Sequence, residues 1–419
     1  MRKNNIKKFI VSAMALCLCL ALSGCSIGEI SVEELMRPPQ LTASRKQVQE
    51  TIDELLGASY QLIAPSGGEY RNGINLADLN DDGQNEAICL YTTGDTQLVE
   101  VLLLQKGGEE WTELGSYSSD ATGVDKMVFT DLDADGNSEL IIGWSYLTGS
   151  DRIMEVLKTR DQGRLASLYK GRYSQFVIIE DGARIVSIDL TGASATLLGY
   201  RSRQIVSLSS VPIDQRITAF TQLSVSTTTT GSPAIYVDTQ LEDATYHTEI
   251  LVINAGDYLE NKLFTGGAGS ADRALNLRCA DIDGDGIIEV PTCVAMEDGE
   301  GAAYFTYWHH YDGTALIDPL TTFTGTADRF YFEYPAAWVG KILVRQDSKL
   351  QRLYHFVNKR HETVYSLRVF TVTEFSQVHP GEGWITITES EDTVIAYRSG
   401  NAKTVTFTTA QWAQALHTY

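Results

Sequence analysis

The chain has 419 residues and a formal net charge of −21, with 54 acidic against 33 basic side chains. A surface this acidic repels phosphate backbones, and no basic patch with interleaved aromatics appears, which excludes nucleic acid as a partner class. Six cysteines, two of them at positions 17 and 19, are too few for a fold built on disulfides.

Residues 1–8 carry Arg2, Lys3, Lys7 and Lys8 without an acid, and residues 9–22 are almost all apolar. That is the basic and apolar plan of a secretory signal, too short to stay as a membrane span of about 20 residues. The order Leu22-Ser23-Gly24-Cys25 resembles the bacterial lipobox. The resemblance implies cleavage before Cys25, a lipoprotein anchor of acyl chains such as palmitate on that residue, and residence on the extracytoplasmic face of the cell membrane. Loss of residues 1–24 removes four positive charges and moves the net charge from −21 to about −25.

Residues 25–58 read as a tether and a helix. Pro38 and Pro39 mark the tether. Thr42 is a candidate N-cap for a helix over 43–56, with Val48, Ile52, Leu55 and Leu56 on one stripe and Gly57 placed to end it. Beyond it, short alternating or β-branched runs recur between Gly, Asp and Asn turns, which predicts a mainly β protein.

Three nonapeptides within that region are near copies of D-x-[DN]-x-D-G-x-x-E, with the first Asp at 78, 131 and 281. Calcium takes six to eight oxygen ligands, and side chains at positions 1, 3 and 5 converge if the backbone curls. A glycine at position 6 permits the sharp turn; the position 7 carbonyl and the position 9 glutamate complete a cage. The candidate ligands are Asp78, Asn80, Asp82, Gln84 and Glu86; Asp131, Asp133, Asp135, Asn137 and Glu139; and Asp281, Asp283, Asp285, Ile287 and Glu289. Empty, such loops are self-repelling, since like charges near 4 Å cost on the order of kilocalories per mole. An EF-hand is excluded because position 12 is Cys89, Ile142 or Thr292 and the flanks read as strands, not helices.

Strand, acidic nonapeptide, strand resembles the FG-GAP or VCBS repeats of integrin-like β-propellers, best where 127–130 precede and 140–143 follow the second loop. The resemblance implies calcium as the bound ion. The first two loops are 53 residues apart and the second and third 150, as expected for periods near 50 with two intervening copies that lack ligands. Residues 176–182 and 220–237 are the candidates for those copies. The expected architecture is therefore a propeller of about five blades over 59–325, after the N-terminal helix. Residues 326–419 form a C-terminal β-rich or α+β domain, the alternative being two further blades and a seven-bladed ring.

His309 and His310 adjoin Trp308 in a strand, where consecutive side chains face opposite ways, so the two imidazoles do not share one metal. No nucleophile elbow, H-E-x-x-H helix or P-loop is present. The expected function is a membrane-anchored, non-catalytic binding or adhesion module for an unidentified protein or glycan, and not an enzyme. The alternative is an extracellular carbohydrate-active or other hydrolytic propeller enzyme.

Overall fold

The computed structural model describes residues 43–57, 59–94, 96–108, 110–147, 152–160, 164–179, 183–263, 271–296, 303–378 and 382–418. The expected leader, Cys25, the expected tether and Thr42 lie outside the described residues. The chain divides into two compact units, Met1–Ala58 and Ser59–Tyr419. In the first, α1 (Ala43–Leu56) coincides with the predicted helix. Gly57 ends it in the left-handed region (φ 72°), its N–H reaching Asp53 O at 3.0 Å. Val48 and Ile52 are fully buried, whereas Leu55 is half exposed and leaves the expected apolar stripe.

The second unit is mainly β and propeller-like, a succession of sheets built chiefly from consecutive antiparallel strands. The first sheet contains β1 (Tyr60–Leu62), β2 (Ile74–Ala77), β3 (Glu86–Thr93), β4 (Val99–Gly107) and β5 (Glu110–Ser118). The next four strands are β6 (Gly123–Thr130), β7 (Glu139–Ser145), β8 (Arg152–Arg160) and β9 (Arg164–Tyr173), touching the first group through one parallel pair, Ser116 with Arg164. The third sheet is β10 (Gln175–Ile178), β11 (Arg184–Asp189), β12 (Ser194–Arg201) and β13 (Gln204–Pro212). The fourth is β14 (Ile217–Thr227), β15 (Pro233–Leu241), β16 (Tyr246–Asn254) and β17 (Tyr258–Asn261). These two occupy the segments expected to be repeats without an acidic loop.

The fifth sheet runs β18 (Val290–Ala295), β19 (Tyr304–Tyr311), β20 (Leu316–Gly325) and β21 (Phe330–Glu333). The sixth holds β22 (Ile342–Gln346), β23 (Leu353–Asn358), β24 (Thr363–Thr371), β25 (Ile385–Glu389) and β26 (Thr393–Ser399). Two capped helices, α2 (Val372–Gln377) and α3 (Thr409–Ala415), accompany it. Finally β27 (Leu416–Thr418) returns to pair with β21 in the fifth sheet.

Alternation within the strands decides how the sheets stack. Successive side chains point to opposite faces, so a strand buried on both sides feeds two cores. Ile142 and Trp144 join Ile88, Leu90 and Leu103 between the first two sheets, while Ile141 of the same strand joins Ile185 and Leu198 of the third. Further cores lie between the third and fourth sheets (Val186, Ile235), the fourth and fifth (Tyr236, Tyr311) and the fifth and sixth (Phe330, Phe356). Successive sheets share a core, the packing logic of a propeller.

Cys89, Cys279 and Cys293 are free thiols. Cys279 points at Asp238, its Sγ 3.3 Å from Oδ1.

Candidate metal centres and an adjoining cleft

Each acidic nonapeptide is the turn between the first two inner strand positions of a sheet. It joins β2 to β3, β6 to β7, and, before β18, an isolated pairing of Ala280 with Glu289. The local geometry repeats. The position 1 aspartate accepts the position 6 N–H at 2.8 Å (Asp78 from Gly83), 2.8 Å (Asp131 from Gly136) and 2.9 Å (Asp281 from Gly286). Those three glycines have φ of 81°, 88° and 87°, a region a Cβ makes costly, which is why position 6 is glycine. The closing glutamate accepts the position 2 N–H at 2.7–2.8 Å, pulling Leu79, Leu132 or Ile282 inward. The position 5 aspartate accepts the position 7 N–H of Gln84, Asn137 or Ile287.

Much of the hydrogen-bonding capacity of positions 1 and 5 thus closes the turn, and the remaining donors differ from loop to loop. In the first, Asn80 takes position 3 and its amide donates to Asp82 at 3.2 Å. In the second, ligand atoms of Asp131, Asp133 and Glu139 lie within 4.8 Å of one another. In the third the same holds for Asp283, Asp285, Glu289 and His310. These clusters have the donor chemistry and spacing to hold a metal ion.

In the third cluster Glu289 is 1 % exposed, and its Oε1 lies 2.8 Å from His310 Nε2 without the geometry of a hydrogen bond. Burial raises the Glu289 pKa, opposed by the Ile282 N–H. An oxygen buried in this way is the kind of group a cation satisfies.

Sequence reasoning missed the residues that complete two of the loops, because they lie on the following strand. Val290 pairs with His309, so His310 stands beside Glu289, and His309 turns to the other face, where Nε2 meets Thr292 Oγ1 at 2.9 Å. Leu140 pairs with Leu157, so Lys158 stands beside Glu139. Its Nζ contacts Asp133 Oδ1 and Oδ2 at 2.8 Å, Asp135 Oδ2 at 2.8 Å and Glu139 Oε1 at 2.7 Å. Burial opposes that charge, yet the hydrogen bonds from Asp133, Asp135 and Glu139 outweigh it, and the Lys158 pKa is raised.

Beside the third loop opens a cleft of about 680 Å³. Asp281 and Ile282 form part of its rim, and Trp308, Tyr331, Arg278 and Arg329 face into it. Trp308 is fixed by Nε1 donating to Thr322 at 3.0 Å, and Tyr331 by its hydroxyl donating to Ile282 O at 2.8 Å. Arg329 adopts φ 52°, a left-handed conformation strained for a residue with a Cβ.

No protein-family model and no curated protein matches this chain. Solved structures do. A Lactobacillus plantarum protein is similar at 10% identity and TM-score 0.35, over 79% of this chain and 86% of its own. The periplasmic gluconolactonase of Pseudomonas aeruginosa gives 12% and 0.32, over 71% and 84%. A Bacteroides uniformis protein assigned as a 6-phosphogluconolactonase gives 14% and 0.34, over 71% and 84%.

The expectation of a non-catalytic binding or adhesion module that is not an enzyme is corrected at this point. Two of the similar structures are named as lactonases. The sequence offered no local signal for the cleft, because its lining residues, among them Gln222, Arg278, Trp308 and Arg329, come from separate segments of the chain.

Proposed function

We propose that this protein is a propeller-type hydrolytic enzyme acting on a small anionic substrate in the cleft beside the third loop. The observation that carries this reading is the placement of Arg278 and Arg329 with the aromatic walls of Trp308 and Tyr331 in that cleft, in a chain of net charge −21. Two guanidinium groups hold a carboxylate or phosphate by charge-assisted hydrogen bonds, the flat rings exclude water, and the substrate is thereby oriented. A divalent cation at the third loop would polarise a carbonyl or activate a water at the rim. Asp283, Asp285, Glu289 and His310 would hold it.

The same reading places the protein on the extracytoplasmic face of the membrane through a lipid on Cys25, supported by the Leu22-Ser23-Gly24-Cys25 order. It also treats the nonapeptides as FG-GAP/VCBS-type metal loops, with calcium at the oxygen-only first loop, where Asp78, Asn80, Asp82 and Glu86 supply hard donors.

The test is hydrolysis by the full chain in detergent micelles, using sugar lactones, carboxyl esters and phosphate-bearing lactones with divalent cations added. Acid-bearing substrates should turn over, and Arg329→Ala should raise their KM by roughly 10–100-fold, the worth of one lost charge-assisted hydrogen bond. Neutral analogues should be unaffected by that change. Turnover absent across the whole panel, or lost equally for charged and neutral substrates in the variant, would overturn the proposal.

A further inference from the structure

The three loops share one backbone and differ in the residue across the strand from the closing glutamate. Beside Glu86 it is Gln105, because Ala87 pairs with Leu104. Beside Glu139 it is Lys158, and beside Glu289 it is His310. One position therefore carries a neutral amide, a fixed cation and an imidazole in turn.

We propose that this cross-strand residue sets the cation each loop takes. Lys158 supplies its own ammonium and closes the second loop to metals, whereas His310 makes the third loop a site for a zinc-class transition dication instead of calcium. The inference rests on the metal reading of the loops and is independent of any hydrolysis.

The second loop is the clearer half. The Lys158 nitrogen sits among Asp133, Asp135 and Glu139 at 2.7–2.8 Å, and its side chain is only 11% exposed. That is where a cation bound by positions 3, 5 and 9 would go. A metal ion would have to expel a charge already neutralising the cluster, and the expelled ammonium would lose three carboxylate partners in a site largely shielded from water. A loop with four acids, which the nonapeptide pattern marks as a calcium site, is on this geometry already filled from within.

The third loop offers the opposite case. Nε2 of His310 lies 2.8 Å from the buried Glu289 Oε1 and 3.6 Å from Asp285 Oδ2, so a nitrogen donor enters among carboxylate oxygens. Calcium is bound by oxygen alone in six- to eight-fold shells. Zinc and its neighbours accept imidazole together with carboxylate in four- or five-fold shells, which a set of three carboxylates and one histidine supplies. The nine-tenths buried Glu289 Oε1 faces the imidazole nitrogen without hydrogen-bond geometry, so both atoms stand free to ligate one ion, an observation separate from the acidity of the loop.

Cobalt(II), zinc and calcium are the probes. The full chain in micelles, stripped with chelator, is titrated with each ion by calorimetry, and cobalt is followed by its visible absorption. One cobalt or zinc equivalent should bind and resist excess calcium. His310→Gln should weaken it by more than the roughly 10–100-fold typical of losing an outer-shell partner, and make calcium the better ligand there. Lys158→Gln should add one calcium equivalent, and Lys158→Arg should not. If Lys158→Gln folds only when calcium is present, followed by circular dichroism, that also supports the proposal. Wild-type protein filling the second loop with calcium, an unchanged calcium count in Lys158→Gln, or an unaltered cobalt spectrum in His310→Gln would overturn it. None of these readouts depends on substrate turnover, so failure here is distinguishable from failure of the hydrolase reading.

Discussion

Glu249 shows what a single buried side chain does to this molecule. It is fully buried on β16, where Asp214 N–H donates to Oε1 at 2.7 Å. Burial drives its pKa up from 4.5 to about 7, and the Asp214 amide only partly restrains it. A carboxyl whose folded pKa is raised binds its proton more tightly in the native state. Its stabilising contribution is therefore present below about pH 4.5 and is lost as pH rises through about 7, by on the order of 3 kcal/mol. In urea titrations, wild-type stability relative to Glu249→Gln should fall between those two pH values. Parallel curves for the two proteins would refute this. His310 teaches a second lesson at the same scale. The rule that neighbouring strand residues face apart correctly separated it from His309, but the partner that mattered was an acid just ahead of the preceding strand. That partner becomes visible only once the register is known.

Among the elements, the connection into the third loop is held by an ion pair removed from water. Arg273 and Asp238 are both fully buried, Nη2 to Oδ1 at 2.9 Å. Arg273 also donates to Thr248 Oγ1 at 2.8 Å and Leu277 O at 3.0 Å, and Asp238 accepts the Cys279 N–H at 2.7 Å. The segment leading to Asp281 is thus fastened to β15 and β16 where no first strand of normal length exists. Removing one partner strands a buried charge, so Arg273→Met should cost about 3–5 kcal/mol. The double change with Asp238→Asn should recover part of that, and denaturant midpoints measure both. The acidic nonapeptides were legible from sequence because candidate ligands and glycine sit at fixed local spacing. This network was not, since Asp238 and Arg273 carry no local pattern and meet only through tertiary packing. The cleft arginines escaped notice for the same reason. Two acid-free repeats were located from spacing and strand composition, although their strands could not be counted from sequence.

For the whole molecule, the order of sheets follows the chain until β27. That strand crosses more than a sheet's length of sequence to pair Leu416 with Phe332, His417 with Tyr331 and Thr418 with Phe330. The His417 ring stacks on Tyr331 at 4.7 Å, and its Nε2 lies 2.8 Å from Glu333. Without it, β21 would present an open edge of backbone donors and acceptors, the usual template for unwanted pairing between molecules. A chain ending at Ala415 should therefore self-associate, detected by light scattering at concentrations where the full chain stays monodisperse. Equal scattering from the two proteins would disprove the point.

The returning strand also imposes a timetable on synthesis. Sheets one to four can form as their residues emerge, each from neighbours in sequence, but the fifth stays one strand short until translation has passed residue 418. Closure over so long a loop is slow compared with hairpin formation. A nascent molecule consequently spends an interval with Phe330 and Phe332 on an unfinished margin, and a cell that makes this protein must shelter that margin until the final strand arrives.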